Sequence, residues 1–582
     1  MSKLEVRTGG ATHAVFNQSA PLEGYNVFAA DRALVEALER EGGGWAVERA
    51  RRLGETCGRP DVIELGRLAN ENPPRLRTHD RFGNRIDEVE FHPSWHELMR
   101  LGIGEGLHAL PWREPQPGAH VARAALFILL AQVEAGVGCP ISMTYSAIPA
   151  LRKQSELAAE WEPRLLSLGY DGELRPAPDK PGALCGMAMT EKQGGSDVRA
   201  NTTAAVPLDG GGPGAEYEIT GHKWFCSAPM CDAFLVLAQV DGGLSCFLLP
   251  RLTPDGERNR FHIQRLKDKL GNRSNASSEV EFRSAWARMV GEERRGVATI
   301  IEMVNHTRLD CVLGCAAGMR WGTAAAINHC EGRSAFGKRL AEQPLMRNVL
   351  ADLAIESEAA TVAGMWLARR FDESHAQPPD ARRAAASGDP GDAGIASAPG
   401  ASGHEQAQLV RRLATPVLKY WVCKRTPGHA AEALECFGGN GYVEESGLPR
   451  LYREAPLASI WEGSGNVQAL DVLRAMARSP EAVRAFADEV GEGAVVEPRL
   501  DAYGTALRRD LADPQGIEAR ARALVERMAL ALQASLLVRY GDSAVADAFC
   551  ASRLEGDWGR AFGTLPAGTG FGRIIERHSA HP

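Results

Sequence analysis

Residues 448–466 read LPRLYREAPLASIWEGSGN, and the organisation of the chain can be worked out from this stretch. Its centre is Glu462, which follows Trp461 and precedes Gly-Ser-Gly-Asn, after which an apolar helical pattern starts at Val467. A carboxylate in an apolar turn loses water and stays basic, while adjacent glycines let a ligand approach the backbone. The alternative is a helix N-terminus with Glu462 as a first-turn acid and Ser464 as the cap. Taken alone, the stretch favours this alternative.

Composition excludes several classes of protein. The 582 residues are enough for about three or four domains, and 44% hydrophobic with 24% charged residues is typical of a soluble protein. A net charge of −8 argues against non-specific coating of nucleic acid, although a local basic patch remains possible. No apolar run reaches the roughly 18 residues of a membrane span, and the first residues lack the apolar core of a signal peptide.

The twelve cysteines are scattered without a CxxC pair or a nearby HxxxH. This pattern predicts reduced thiols in a cytoplasmic protein, with neither a metal site nor a disulfide framework.

Hydrophobic periodicity divides the chain into helical and strand-forming parts. Apolar residues three and four apart predict helices near 32–41, 121–137 and 147–168, and a helical domain over 92–169. Short half-alternating segments predict strands at 183–190, 204–208, 216–223, 234–240, 245–250 and 262–266, ending near 288. Helical patterns return at 297–326, 344–370, 407–426, 428–436, 500–511, 516–540 and 544–553. Residues 374–406 are rich in Ala, Gly, Pro and Ser, which predicts a flexible insert.

Five further motifs carry polar groups or glycines in positions suited to a ligand. They are MAMTEKQGGSD at 187–197, GHKWFCS at 221–227, KLGNR at 269–273, RSAFG at 333–337 and FGGNG at 437–441. The Gly-Gly loop exposes consecutive peptide N–H groups, which can bind a polar ring edge or a phosphate. Each motif also has an ordinary structural interpretation, such as a hairpin turn or a core tryptophan.

As an ordered set, these motifs resemble the acyl-CoA dehydrogenase family over about residues 90–475. The resemblance implies a mainly α, α+β fold: an N-terminal arm and helical domain at 1–182, a β-barrel at 183–290 and a helical domain at 291–480. Residues 481–582 would add a C-terminal helical bundle, which is a candidate DNA-binding part. The resemblance also implies FAD, a homotetramer and an acyl-CoA substrate.

The resemblance assigns a role to each motif. Glu462 would be the catalytic base that removes the α-proton of an acyl thioester. The other position used for that base in the family is occupied here by Thr307, which cannot serve. The residues implied to contact FAD are Met187, Met189, Thr190, Gly195, Ser196, Phe225, Cys226, Ser227, Arg333, Phe336, Gly438, Gly439, Ile460, Trp461, Gly463, Ser464, Gly465 and Asn466.

The match is closer to the AidB branch, whose members bind double-stranded DNA in the response to DNA alkylation and have feeble dehydrogenase activity. The carrying tracts are 190–197, 265–277, 448–454 and 459–466, with the extra C-terminal helices. Two departures from the wider family fit this branch: Glu435 replaces a glutamine that commonly holds FAD, and Trp461 narrows the acyl pocket.

The C-terminal region has no net positive charge, so any DNA-binding surface there depends on how its arginines are placed. Residues 482–582 contain twelve arginines, no lysine and fourteen acidic residues, so ion pairs within a solvated face are an ordinary alternative. The implied DNA contacts are Arg474, Arg478, Arg508, Arg509, Arg520 and Arg527, with Arg474 foremost. Two other functions stay open: an ordinary acyl-CoA dehydrogenase for short or branched substrates, and a flavin-stabilised scaffold or regulator.

Overall fold

A computed structural model describes residues 12–375 and 403–581. The α-helices are α1 Arg32–Leu38, α2 Val47–Cys57, α3 Pro60–Glu71, α4 Pro93–Gly104, α5 Leu110–Arg113, α6 Ala119–Val133, α7 Gly138–Leu151, α8 Ser155–Leu165, α9 Gly296–Gly332, α10 Pro344–His375, α11 Gly403–Glu435, α12 Leu448–Glu454, α13 Gly465–Arg478, α14 Pro480–Ala494, α15 Pro498–Ala512, α16 Ile517–Tyr540, α17 Ser543–Phe549 and α18 Phe571–His578.

The strands are β1 Arg75–His79, β2 Arg85–Glu90, β3 Cys185–Ala188, β4 Ala204–Pro207, β5 Glu216–Ser227, β6 Ala233–Val240, β7 Gly243–Pro250, β8 Phe261–Leu266, β9 Ser277–Val290, β10 Ser334–Ala335 and β11 Lys338–Arg339. The architecture is mainly helical, with an N-terminal helical part, a middle β-barrel, a C-terminal helical domain and extra C-terminal helices, as the sequence predicts.

The barrel closes because strand β6 pairs on both of its edges. The path β6-β4-β5-β9-β7 returns to β6 through an antiparallel pairing with β7, while β3 pairs with β6 in parallel and β8 extends from β9. Strand β9, the longest, is absent from the predicted strands, since its buried positions alternate with Glu281, Arg283 and other polar residues. Strand β9 pairs with β5 along most of its length and also pairs with β7 and β8, so it joins three strands of the barrel.

The helical domain is built on three long helices, α9, α10 and α11. Helix α11 is continuous through Pro416 and Pro427, where the sequence suggests two separate helices. The edges of the predicted insert also need correction, because 374–375 end α10 and 403–406 start α11. The remainder of the insert, 376–402, lies outside the described residues.

The N-terminal part contains a β-hairpin, β1–β2, between helices α3 and α4, which the sequence analysis does not anticipate. Helices α2 and α3 are also additional to the single helix predicted near the start of the chain. Helix α8 is separate from α7 because a turn at 152–154 interrupts the predicted helix.

The C-terminal helices pack directly against the helical domain. Trp366 on α10 donates its indole N–H to Glu489 on α14 over 3.1 Å. Arg577 on α18 pairs with the buried Glu358 of α10 at 2.9 Å. Helices α14 and α18 are additional to the predicted C-terminal helices. In the part of the chain that the structure describes, no helix combines the length and apolarity needed to cross a membrane.

Candidate active site at Glu462

Glu462 lies in a strained turn just before helix α13. Its backbone has φ 57°, a left-handed conformation that is uncommon for a residue with a side chain, and Gly463 follows at φ 98°. Ser464 occupies the N-cap position of α13 but makes no side-chain cap hydrogen bond. The helix-start interpretation therefore does not explain Glu462, because the residue precedes the helix and adopts a conformation that costs free energy.

Two side chains donate hydrogen bonds to the backbone of this turn. Arg308 of α9 donates its Nε–H to the Glu462 carbonyl over 3.1 Å, and Gln468 of α13 donates to the same carbonyl over 2.9 Å. Arg308 is itself held by Asp471 at 2.8 Å. A third donor, Lys419 of α11, binds the carbonyls of Trp461 at 2.8 Å and Gly463 at 2.5 Å. The conformation of Glu462 is thus fixed by three helices.

The Glu462 carboxyl group is poised to accept a proton. Its Oε2 atom is shielded from solvent and accepts no hydrogen bond. Burial raises the pKa of Glu462, while the Thr307 hydroxyl and the charges of Lys419 and Arg308 act in the opposite direction. The Thr307 hydroxyl itself donates to the Val304 carbonyl over 3.1 Å. A buried carboxylate with a free oxygen and a raised pKa has the properties of a general base.

The Gly-Gly loop is anchored by a buried ion pair. Glu191 and Lys223 approach to 2.8 Å with neither side chain exposed, and Glu191 also accepts from the peptide N–H groups of Thr202 and Thr203. Burial would raise the pKa of Glu191, but these partners hold it well below its usual range. The start of the loop is therefore held in place by the ion pair between Glu191 and Lys223.

Close packing explains the second glycine of that loop. A Cβ atom on Gly195 would lie 2.4 Å from Thr190 Oγ1, so the backbone passes directly over this hydroxyl. Ser196 is exposed, Met189 is partly buried, and Met187 is buried in β3. The loop consequently offers Thr190, Ser196 and backbone N–H groups to a ligand, whereas Met187 lies beneath.

The end of strand β5 presents an aromatic ring to solvent. Phe225 is 50% exposed, while the side chain of the next residue, Cys226, is fully buried in the barrel. Cys226 can thus contact a cofactor only through its backbone, and its carbonyl already accepts from Ser278. The Ser227 hydroxyl lies 3.3 Å from that of Ser277. Phe225 and Ser227 are the two side chains here that can face a flat ring.

The thiol of Cys139, on α7, is close enough to both Ser227 and Glu462 to be influenced by them. Burial raises the pKa of Cys139 to about 12; Lys269, Asn275 and the Ser227 hydroxyl lower it, and the charge of Glu462 raises it. The end of β5 and the Glu462 turn are therefore both close to the same buried thiol. Phe225 lies on β5 two residues before Ser227.

Arg333, Gly438 and Gly439 meet in a separate cleft of about 280 Å³, also lined by Glu435 and Asn440. The N-terminal arm contacts one residue of this lining, because Arg333 donates to the Asn17 carbonyl over 2.9 Å.

Phe336 lies at the tip of the neighbouring β10–β11 hairpin. Its side chain is 100% exposed and its φ is 53°. A fully exposed aromatic ring held at a hairpin tip is a feature of surfaces that contact another molecule.

The remaining residues implied for FAD surround Glu462. Ile460 is 63% exposed, Ser464 and Asn466 are exposed, and Gly465 is buried. Trp461 is partly buried, and its indole nitrogen lacks a hydrogen-bond partner. The turn thus exposes an apolar side chain and two polar ones, and it buries an N–H donor that has no hydrogen-bond partner.

The six candidate DNA-binding arginines divide into two groups. Arg520 binds Asp513 and Arg527 binds Asp510, so both already have acidic partners. The other four are exposed and form no ion pair within the described residues: Arg474, Arg478, Arg508 and Arg509. Only this second group has its charge available to a phosphate.

Three family profiles match successive parts of the chain. The N-terminal domain of the adaptive response protein AidB matches residues 17–172, the middle domain of acyl-CoA dehydrogenases matches 186–285, and their C-terminal domain matches 294–387 and 397–477. The chain belongs to the acyl-CoA dehydrogenase family. Within the acyl-CoA dehydrogenases it falls in the AidB branch: the putative acyl-CoA dehydrogenase AidB of Escherichia coli is 44% identical over 94% of this chain and 95% of that protein.

Other acyl-CoA dehydrogenase relatives show the same architecture. Acyl-CoA dehydrogenase family member 11 of Caenorhabditis elegans is 32% identical over 74% of this chain and 67% of its own. The structure of C. elegans ACDH-11 in complex with C11-CoA superimposes with a TM-score of 0.78 at 28% identity, covering 94% of each chain. An acyl-CoA dehydrogenase of Bacillus anthracis complexed with FAD shares the fold, with a TM-score of 0.60 at 16% identity, covering 80% of this chain and 78% of that one.

Sequence reasoning missed the groups that hold this acyl-CoA dehydrogenase turn in place. Lys419 and Gln468 carry no recognisable motif, and the proximity of Lys419 to Glu462 arises only when α11 packs under the turn. Within residues 12–375 and 403–581, no group of three or more His, Cys, Asp or Glu side chains is arranged to hold a metal ion. All twelve cysteines are free and buried.

Proposed function

We propose that this protein is a FAD-containing, AidB-type acyl-CoA dehydrogenase homologue that binds double-stranded DNA in the response to DNA alkylation and retains weak dehydrogenase activity. A cytoplasmic homotetramer is part of the proposal. The observation that carries it is the Glu462 carboxyl group, which has a shielded oxygen without a hydrogen-bond partner and a pKa raised by burial.

The residues present fit a flavin. Phe225 offers an exposed ring for stacking, and Ser227 and Thr190 offer hydroxyls. Family members bind FAD, and Arg333, Phe336, Gly438 and Gly439 would contact the FAD of a neighbouring subunit. The exposure of Phe336 supports this assignment, since an exposed aromatic ring on a hairpin tip gains free energy when covered.

The chemistry divides between the protein and its cofactor. When bound, FAD supplies a hydride acceptor for the β-carbon of an acyl thioester. Glu462 takes the α-proton on its free oxygen, and burial of that carboxyl group stabilises the protonated form that results. The bulk of Trp461, which precedes Glu462, limits the space for the acyl chain, which supports low turnover.

Anaerobic flavin absorbance tests the dehydrogenase part. The purified protein is expected to be yellow, and a panel of acyl-CoAs is added to look for slow bleaching near 450 nm on the order of minutes, far below typical turnover rates. Glu462→Gln should abolish bleaching at unchanged FAD content. The control Glu55→Gln, an exposed acid on α2, should behave like the wild type. A colourless protein that refuses FAD would contradict the proposal.

The DNA part rests on the four exposed arginines without acidic partners. Arg474 and Arg478 lie one helical turn apart on α13, so both guanidinium groups can reach the same phosphate backbone. Arg508 and Arg509 add charge on α15. Contacts of this kind are made to phosphates and predict binding that weakens steeply with salt.

Gel retardation of duplex DNA at several salt concentrations tests this part with the full chain. Arg474→Glu with Arg478→Glu should weaken binding about 10-fold or more and leave FAD content unchanged. Arg283→Glu with Arg260→Glu, which makes the same change in net charge on the barrel, should have little effect. Equal weakening by both pairs would place the DNA elsewhere.

A second candidate is an ordinary dehydrogenase for one short or branched acyl-CoA, with the C-terminal helices serving assembly only. The intact Glu462 turn favours it equally. Rapid bleaching by one thioester, together with an absence of DNA binding, would select this function.

A further inference from the structure

The side chain of Lys419 is unusual because it is a buried cation without an acidic partner in the described chain. It is 1% exposed, lies in the middle of α11, and donates only to the carbonyls of Trp461 and Gly463. Moving an ammonium group out of water costs several kcal/mol unless other charges or dipoles replace the hydration. Two carbonyl dipoles replace part of it, and no third acceptor among the described residues binds the Lys419 ammonium.

The two carbonyls that Lys419 binds are those on either side of Glu462. Because one ammonium holds both, the intervening residue must turn away from α11, and it does so with φ 57°. The Glu462 carbonyl is bound separately by Arg308 and Gln468. Gln468 also donates to the Gly463 carbonyl over 3.0 Å. Lys419 is therefore the side chain that joins the carbonyls on both sides of Glu462, while Arg308 and Gln468 bind the carbonyl between them.

The other charged and titratable groups around Glu462 are committed elsewhere or lack charge. Arg308 of α9 is paired with Asp471, which also binds Arg412 of α11. The neighbouring thiols, Cys311 of α9 and Cys139 of α7, have raised pKa values because they are buried, and so are neutral. Lys419 is left as the cation near Glu462 that no carboxylate in residues 12–375 and 403–581 neutralises.

We propose that Lys419 is a positioning residue that closes the left-handed turn at Glu462 and supplies the positive charge facing its carboxylate. The inference deepens the proposed function, on which the role of Glu462 as a base depends. Lys419 touches neither substrate nor cofactor in this assignment; it acts through Glu462. It opposes the effect of burial, so that Glu462 is ionised when the substrate arrives and can still be protonated in the reaction.

The test is a pH titration of the FAD-loaded protein without any acyl-CoA, followed by flavin absorbance. Glu462→Gln identifies the transition that belongs to Glu462, since it should remove it. Lys419→Met keeps the length of the side chain but removes its charge and its donors, and should raise the midpoint by at least about one pH unit. Lys419→Arg, which keeps the charge, should restore the midpoint to within about half a unit.

The matched control is Lys153→Met, because Lys153 also donates to a carbonyl, that of Ala298, but is exposed and remote from the turn. Its midpoint should equal that of the wild type. If Lys419→Met does not retain FAD, the same midpoint is measured by tryptophan fluorescence in the cofactor-free proteins, using Trp461 beside the carboxyl group. An unchanged midpoint in Lys419→Met, or an equal shift in Lys419→Arg, overturns the proposal.

Failure of the Lys419 proposal can be distinguished from failure of the proposed dehydrogenase function. If no acyl-CoA bleaches the wild-type flavin, the dehydrogenase assignment fails, yet the midpoint still reports on Lys419 and Glu462. If bleaching occurs and the midpoint does not move, the base stands and the positioning role is wrong.

Discussion

Arg553 and Asp352 are 201 positions apart in the chain and form an ion pair in which neither side chain is exposed. Arg553 also binds Glu356 at 3.2 Å, and Arg425 binds the same carboxylate at 3.0 Å. The acids belong to α10 and Arg553 follows α17, so the last part of the chain completes the charge balance of the central helices. The C-terminal region is thereby coupled to the helical domain.

Arg553→Met should strongly destabilise the fold. It leaves Asp352 and Glu356 with less compensation in a dry environment, and breaking a buried pair typically costs about 3–5 kcal/mol. Urea unfolding followed by circular dichroism measures the loss. Arg573→Met is the control, since its partner is Asp542 and its side chain is 62% exposed; it should change the free energy of unfolding by less than about 1 kcal/mol. Equal losses would mean that burial of the pair is unimportant.

Lys223→Met should loosen the Gly-Gly loop and reduce FAD retention. Without Lys223, Glu191 is a buried carboxylate with a missing partner, which costs about 3–5 kcal/mol. The double variant Lys223→Met with Glu191→Gln removes both charges and should recover part of the stability. FAD content after gel filtration and the melting temperature are the measurements. A single variant with wild-type values on both would contradict the anchoring role.

Glu454→Gln should stabilise the protein at alkaline pH. Burial, and then Glu134, raise the pKa of Glu454 to about 7, although the carboxyl accepts a hydrogen bond from the Asn272 N–H at 2.9 Å. Since the folded pKa is higher than the unfolded one, the stabilising contribution of the protonated form is complete below about pH 4.5 and is lost as pH rises through 7.

The glutamine variant should therefore match the wild type near pH 5 and exceed its free energy of unfolding at pH 8 by up to about 3 kcal/mol. Glu444→Gln is the control: Arg453 lowers the pKa of this exposed carboxyl, so any pH effect should be small and of opposite sign. Parallel stability curves for Glu454→Gln and the wild type would refute the prediction.

Gly463→Ala should impair the catalytic turn. At φ 98° an alanine is strained, and its Cβ would lie 2.7 Å from Gln468 Nε2, the atom that binds the Glu462 carbonyl. We expect the free energy of unfolding to fall by about 1–3 kcal/mol and the pH midpoint of Glu462 to change. Gly491 lies on α14 with free space around it, so Gly491→Ala should instead raise the free energy of unfolding by about 0.5–1 kcal/mol. Thermal unfolding and the flavin titration distinguish the two.

The sequence singles out Glu462 because its apolar neighbours and the following glycines are adjacent in the chain, but that stretch alone favours a helix start, and the role as a base is implied by the family resemblance. The order of helical and barrel regions was also predictable from hydrophobic periodicity. Strand β9 was not, because its solvent-facing charges interrupt the apolar pattern. The continuity of α11 was hidden by Pro427, which separates the two predicted helices. Lys419 could not be inferred, since it lies 42 positions before Trp461 and only helix packing joins them.

The dependence of α10 on Arg553 and Arg577 has a consequence during synthesis. Asp352 and Glu358 emerge from the ribosome about two hundred residues before Arg553 and Arg577, the arginines that neutralise them. We expect the nascent helical domain to keep these acids hydrated until the chain ends, and then to close around them. Premature stop codons in the last thirty or so residues should therefore yield proteins that chaperones retain, even though every residue of the candidate site has been made.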